Sequence, residues 1–219
     1  SRGLEPSTLA AGNFTAYLVA GIVVTTAVFS STFSGASYYR DRDTGMLRMI
    51  LASPLSPRVL LAGKSLAAVV IGTAQALLVL AIATPFVDLA WQYGIGAGIG
   101  IAIVVVILMN LLLAGAAQSM ATRVSTMQGF HLLMNLVLFP LLFVSGAFFP
   151  IDSLPLWLKL VTWANPLTYG VDALQVAMYA EDTDGFIGLP IDFAVLGSVA
   201  VLVYVLGLVK LPRLTWSGR

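Results

Sequence analysis

Five apolar stretches, at about residues 13–33, 60–86, 95–120, 130–149 and 193–209, decide what this chain can fold into. A hydrocarbon core of about 30 Å needs about 20 helical residues to cross it. In lipid, the backbone must also satisfy its own hydrogen bonds, which a helix does within one segment. We therefore read an all-α integral membrane protein, with residues 1–219 forming one transmembrane domain of five spans. Composition agrees: 59% of residues are hydrophobic and 10% charged, against about 25% charged in ordinary soluble domains. A net charge of +1 gives nucleic acid no purchase, and the absence of cysteine rules out thiol, disulfide and cysteine–zinc chemistry.

Lys and Arg mark the cytoplasmic side of a membrane protein. Alternate loops hold Arg40, Arg42, Arg48, Arg58 and Lys64, then Arg123, then Lys210, Arg213 and Arg219, which is nine of the eleven basic residues. The opposite side has Arg2 and Lys159 among eight acidic residues. The first loop and the C-terminus are thus expected in the cytoplasm, with Ser1 outside. An external start followed by five spans implies a sixth, N-terminal span that this chain lacks.

Residues 150–188 are apolar but broken. Asp152, Ser153, Leu154 and Pro155 read as a helix cap with Pro in the first turn. Asn165-Pro166 stops the short helix that follows, and a second short segment ends in the acidic run at 181–184. Segments of this length are more often re-entrant than spanning. Trp157, Trp163, Tyr169 and Tyr179 suit the headgroup level. The expectation is an external re-entrant hairpin, with Asp172 on a solvated face or capping a neighbouring turn.

No catalytic constellation, metal-ligand cluster or phosphate loop is present. Gly94, Gly96, Gly98 and Gly100 follow no strand, and Gly96 with Gly100 reads as a packing face. His131 reads as an interfacial or packed histidine. The absence of acidic residues from the five stretches argues against an ion-coupled carrier. Neutral polar residues do enter the spans: Thr25 in the first, Gln75 in the second, Asn110 and Gln118 in the third, Asn135 in the fourth. One reading is interhelical hydrogen bonding, worth on average about 0.6 kcal/mol per contact. The other is a mildly polar pathway for an amphiphile.

Residues 38–64, YYRDRDTGMLRMILASPLSPRVLLAGK, are the most charge-dense part of the chain. Arg40 and Arg42 need be no more than topology signals. The pattern after them is different, because Met46, Leu47, Met49, Ile50 and Leu51 form one apolar helical face. Ser53-Pro54 then ends that helix. A short amphipathic helix at the membrane surface suits a groove on a soluble partner.

These residues resemble the permease subunits of type-2 ABC exporters, especially the daunorubicin-resistance-like drug and lipid exporters. One matching stretch comprises Asp41, Arg42, Asp43, Gly45, Met46-Leu47, Ser53-Pro54 and Gly63-Lys64. The other is VSGAFFPIDSLPLWL from Val144, followed by NPLTYGVDAL from Asn165. Gln175 stands where the family often has Arg.

The resemblance implies a dimer of permeases, identical or homologous, in the inner (plasma) membrane of a prokaryote. Each would dock on a separate ABC ATPase subunit, which would bind the ATP and Mg while this chain binds no cofactor. It assigns coupling to Asp41, Arg42, Asp43, Gly45, Met46, Leu47, Met49, Ile50 and Leu51, within a cytoplasmic loop at 38–58. It assigns the external hairpin to Asp152, Pro155, Trp157, Asn165, Pro166, Tyr169 and Asp172. The implied activity is ATP-driven export of an amphipathic drug or lipid, as in antibiotic efflux. The alternatives are polysaccharide export within the same superfamily, or an ion-coupled secondary transporter.

Overall fold

Helix boundaries follow capping chemistry rather than the edges of the apolar stretches. The computed structural model describes residues 11–46, 49, 56–87, 89, 91–149, 151, 154–178 and 188–209. The helices among them are α1 (Ala11–Asp43), α2 (Pro57–Ala83), α3 (Ile95–Ala121), α4 (Met127–Val144), α5 (Leu156–Ala164), α6 (Pro166–Met178) and α7 (Leu189–Val209). Five of them, α1 to α4 and α7, are long and apolar enough to cross a membrane. α2 starts at Pro57 because the Ser56 hydroxyl accepts the Val59 N–H and Pro suits the first turn. α4 starts at Met127 for the same reason, with Thr126 accepting the Gly129 N–H. It ends at Val144, short of the expected 149, where the chain turns through Gly146 at φ 85°.

The largest departure is at residues 38–64, which do not form one loop. α1 runs on to Asp43, so Asp41, Arg42 and Asp43 lie on its last turn, while Arg58 and Lys64 lie in the first turns of α2. The connection narrows to residues 44–56. Burial carries the helix past its apolar stretch: Tyr39 is fully buried, its ring packs on Phe130, and its hydroxyl donates to the Val124 carbonyl. Arg40 and Arg42 in the last turn also suit the negative end of the helix dipole.

α3 is the central helix, packed against α1, α2, α6 and α7. Its two expected polar residues, Asn110 and Gln118, lie on one stripe with Ala114, Ala117 and Ala121, and that stripe is buried throughout. Gly72 lets α2 approach that stripe, since a Cβ there would lie 2.1 Å from Asn110 Oδ1. The expected packing face at Gly96 and Gly100 does not form among the described residues. Both positions open onto free space, and the intervening Gly98 packs against Trp91 instead.

The bundle has two distinct ends. At one, the α1 C-terminus meets the α3–α4 connection through Arg42 and Ser125. At the other, the α1 N-terminal half meets the turn after α4, with Gly21 against Ala147, and α5 and α6 form an elbow beside it.

Candidate translocation and coupling site

On the flank of the bundle, α1 and α2 leave an open groove of about 340 Å³. α1 contributes Ile22, Thr25, Thr26, Phe29, Ser30 and Phe33; Gln75 of α2 and Phe148 complete the lining. The polar atoms are sparse and the walls mostly apolar. Thr25 satisfies its own hydroxyl by donating to the Gly21 carbonyl, 2.7 Å away. Gln75 is exposed.

Thr25 and Gln75 therefore come together, as two of the five expected pathway residues. The other three do not join them. Asn110 is 1% exposed, donates to the Val106 carbonyl and faces Gly72. Gln118 is buried and donates to Ser34 at 3.4 Å. Asn135 lies on the outer face of α4 near Leu132, Leu136 and Phe139, which are exposed apolar side chains. The groove also includes Thr26, Ser30 and Phe148, which were not among the expected pathway residues.

At the charged end, the α1 C-terminus is tied down on two sides. Lys64 of α2 pairs with Asp41 and donates to the Ser37 hydroxyl at 3.2 Å. Arg42 donates to the Ser125 carbonyl at 2.7 Å, and its guanidinium sits 5.2 Å from the centre of the Tyr39 ring. Arg42 is thus more than a topology signal: it joins α1 to the α3–α4 connection. Asp43 pairs with Arg42 at the exposed surface. Thr44 and Gly45, the latter at φ 76°, turn the chain away from α1, and the Met46 and Met49 side chains are exposed. Leu47, Ile50 and Leu51, the rest of the expected coupling face, lie outside the described residues, as does Arg48.

At the elbow, polar side chains cap freed carbonyls. Pro166 has no N–H for the Thr162 carbonyl, which accepts the Thr168 hydroxyl at 3.0 Å and the Asn165 N–H. The Leu167 N–H is taken by Asn165 Oδ1, so the Trp163 carbonyl accepts the Tyr169 hydroxyl at 2.7 Å. Tyr169 is thus buried, whereas Trp157 and Trp163 are exposed. Asn165 Nδ2 also reaches across to the Leu141 carbonyl at 2.6 Å, and Thr162 donates to the Val144 carbonyl. The Leu141 and Val144 carbonyls, in the last turn where a helix end leaves such groups unpaired, are satisfied in this way. Pro155 takes the N-cap position of α5 without a side-chain bond. Asp152 and Tyr179 lie outside the described residues.

Asp172 requires a correction. It is 5% exposed rather than solvated, and its carboxyl faces that of Asp192, which is fully buried in the first turn of α7. The apolar stretch expected at 193–209 started one residue too late to include this acid. A carboxyl pair thus lies inside the bundle, and the expected lack of buried acids does not hold. His131 packs its edge against Phe130, as a packed histidine does.

Residues 5–179 match the family model described as ABC-2 type transporter. The chain belongs to the ABC-2 type transporter family. It is a multi-pass membrane permease of the type-2 ABC class, built as an all-α transmembrane domain. It is 27% identical to the probable multidrug ABC transporter permease YbhR of Escherichia coli K12 over 161 residues, 74% of this chain and 42% of that relative. It is 26% identical over 169 residues to the putative transport permease ycf38 of Cyanophora paradoxa, covering 74% of this chain and 56% of the relative. The ycf38 permease of Porphyra purpurea matches similarly, at 26% over 167 residues, 74% of this chain and 55% of the relative. The chain thus spans about half the length of the curated relatives it matches.

Proposed function

We propose that this ABC-2 permease forms the membrane pathway of an ATP-driven exporter for an amphipathic drug or lipid. The observation that carries the substrate class is the α1–α2 groove, whose apolar walls hold a few neutral polar groups at Thr25 and Gln75. Such a surface suits a molecule with an apolar body and a small polar head, and a polysaccharide chain would need far more hydrogen-bonding groups. A second permease copy, identical or homologous, completes the groove by covering the exposed aromatic side chains Phe29, Phe33 and Phe139. The charged end faces the cytoplasm of a prokaryotic cell and docks on an ABC ATPase, which holds the ATP and Mg. The α5–α6 elbow lies outside as a re-entrant hairpin. Asp41, Arg42 and Tyr39 pass movement of the docked loop to α2 and to the α3–α4 connection. Leu47→Asp, in the apolar docking face, is expected to leave the permease in the membrane while abolishing export and its stimulation of the ATPase. Export and stimulation both surviving would refute the coupling assignment.

A further inference from the structure

The Gly146 carbonyl, in the turn after α4, is held from two directions. The Tyr17 hydroxyl of α1 donates to it, and Gln175 Nε2 of α6 donates to it at 3.3 Å. Gly146 has φ 85°, so the backbone that presents this carbonyl is one glycine adopts readily. One turn further along α1, Gly21 approaches so closely that a Cβ would lie 2.3 Å from the Ala147 carbonyl oxygen. The next residues, Ile22 and Thr25 on α1 and Phe148 after the turn, already line the groove. The Tyr17–Gly146–Gln175 cluster therefore stands one helical turn beyond the groove, across its elbow end.

We propose that Tyr17 and Gln175 are gating residues that latch this end of the groove shut through the Gly146 carbonyl. One carbonyl has two lone pairs, and each is used by a different helix. Tyr17 fastens the turn to α1 and Gln175 fastens it to α6, so loss of either donor frees the turn from one of the two helices. The latch is neutral, so it needs no ion to open. The inference rests on the export reading only for its role in transport; its geometry does not depend on ATP or substrate.

The test uses the full chain, whose lack of cysteine makes any introduced thiol unique. Thr25→Cys reports on the groove and Thr122→Cys, at the opposite end, reports on general loosening. Each is combined with Tyr17→Phe or with Gln175→Met, which keeps length and removes the donor. The readout is the labelling rate by a membrane-impermeant maleimide in vesicles of both orientations, without ATP or substrate. Both latch variants are expected to raise labelling at position 25 by roughly tenfold from the elbow side alone, with position 122 unchanged. Unchanged labelling at 25, equal acceleration at 122, or failure of both variants to accumulate in the membrane each overturns the proposal. Loss of ATP-dependent export is scored separately and bears on the export reading, not on the latch.

Discussion

Replacing Lys64 by Met tests the joint at the charged end, because two ion pairs stand side by side there in different settings. The Arg42 and Asp43 side chains are 40% and 65% exposed, and such a pair contributes about 0–1 kcal/mol. The Lys64 and Asp41 side chains are only 18% and 15% exposed. Breaking a buried pair costs about 3–5 kcal/mol, mostly from the charge left behind. With residual exposure at both residues, Lys64→Met should cost about 2–3 kcal/mol, including the bond to Ser37. Asp41→Asn on the same background removes the stranded carboxylate, and the double variant should lie within about 1 kcal/mol of the native protein. The corresponding Arg42/Asp43 cycle should show an interaction of less than about 0.5 kcal/mol between the two side chains. The measurement is a double-mutant cycle of unfolding free energy for the purified permease in detergent micelles. Additive losses for Lys64→Met and Asp41→Asn, or a Lys64→Met cost below about 0.5 kcal/mol, would refute the view that this pair fastens α1 to α2.

Asn165→Ala should destabilise the permease by about 1–3 kcal/mol, since it strands the Leu141 carbonyl and the Leu167 N–H together; the same micelle titration reads it, and a loss under about 0.5 kcal/mol contradicts the capping role. Gly21→Val should cost about 1–3 kcal/mol by forcing α1 off the Ala147 carbonyl, again visible in unfolding. Gln75→Leu should lower export at matched expression, because Gln75 lines the groove. Asn110→Leu should reduce stability and leave the residual export per folded molecule near native, because Asn110 is buried against Gly72. Equal export loss in both variants places Asn110 in the pathway.

Spans were legible because crossing lipid imposes a length and an apolarity that few other folds require. Their ends were not, because they depend on contacts distant in sequence. α1 outlasts its apolar stretch by ten residues since Tyr39 finds Phe130 and the Val124 carbonyl. In the NPLTY run, Pro166 announced a break, yet only the fold shows that Asn165, Thr168 and Tyr169 are there to cap the carbonyls the break exposes. The neutral polar residues within the spans were visible, but which of them would face a groove and which a neighbouring helix depends on packing. Thr25 and Gln75 face the groove, whereas Asn110 and Gln118 face other helices. Asp172 and Asp192 are twenty positions apart and meet only because α6 packs on α7. This pair gives an ion-coupled mechanism a physical foothold, whereas the export reading proposed above draws its energy from a partner ATPase.

Those two energy sources separate in one experiment. The permease is purified with its native partners, reconstituted in vesicles and assayed for export of a fluorescent amphiphile under two conditions, ATP with the proton gradient collapsed, and a proton gradient without ATP. We predict that an ATPase co-purifies and that export persists in the first condition and stops in the second. Export driven by the gradient alone, with no ATPase in the complex, would contradict the account.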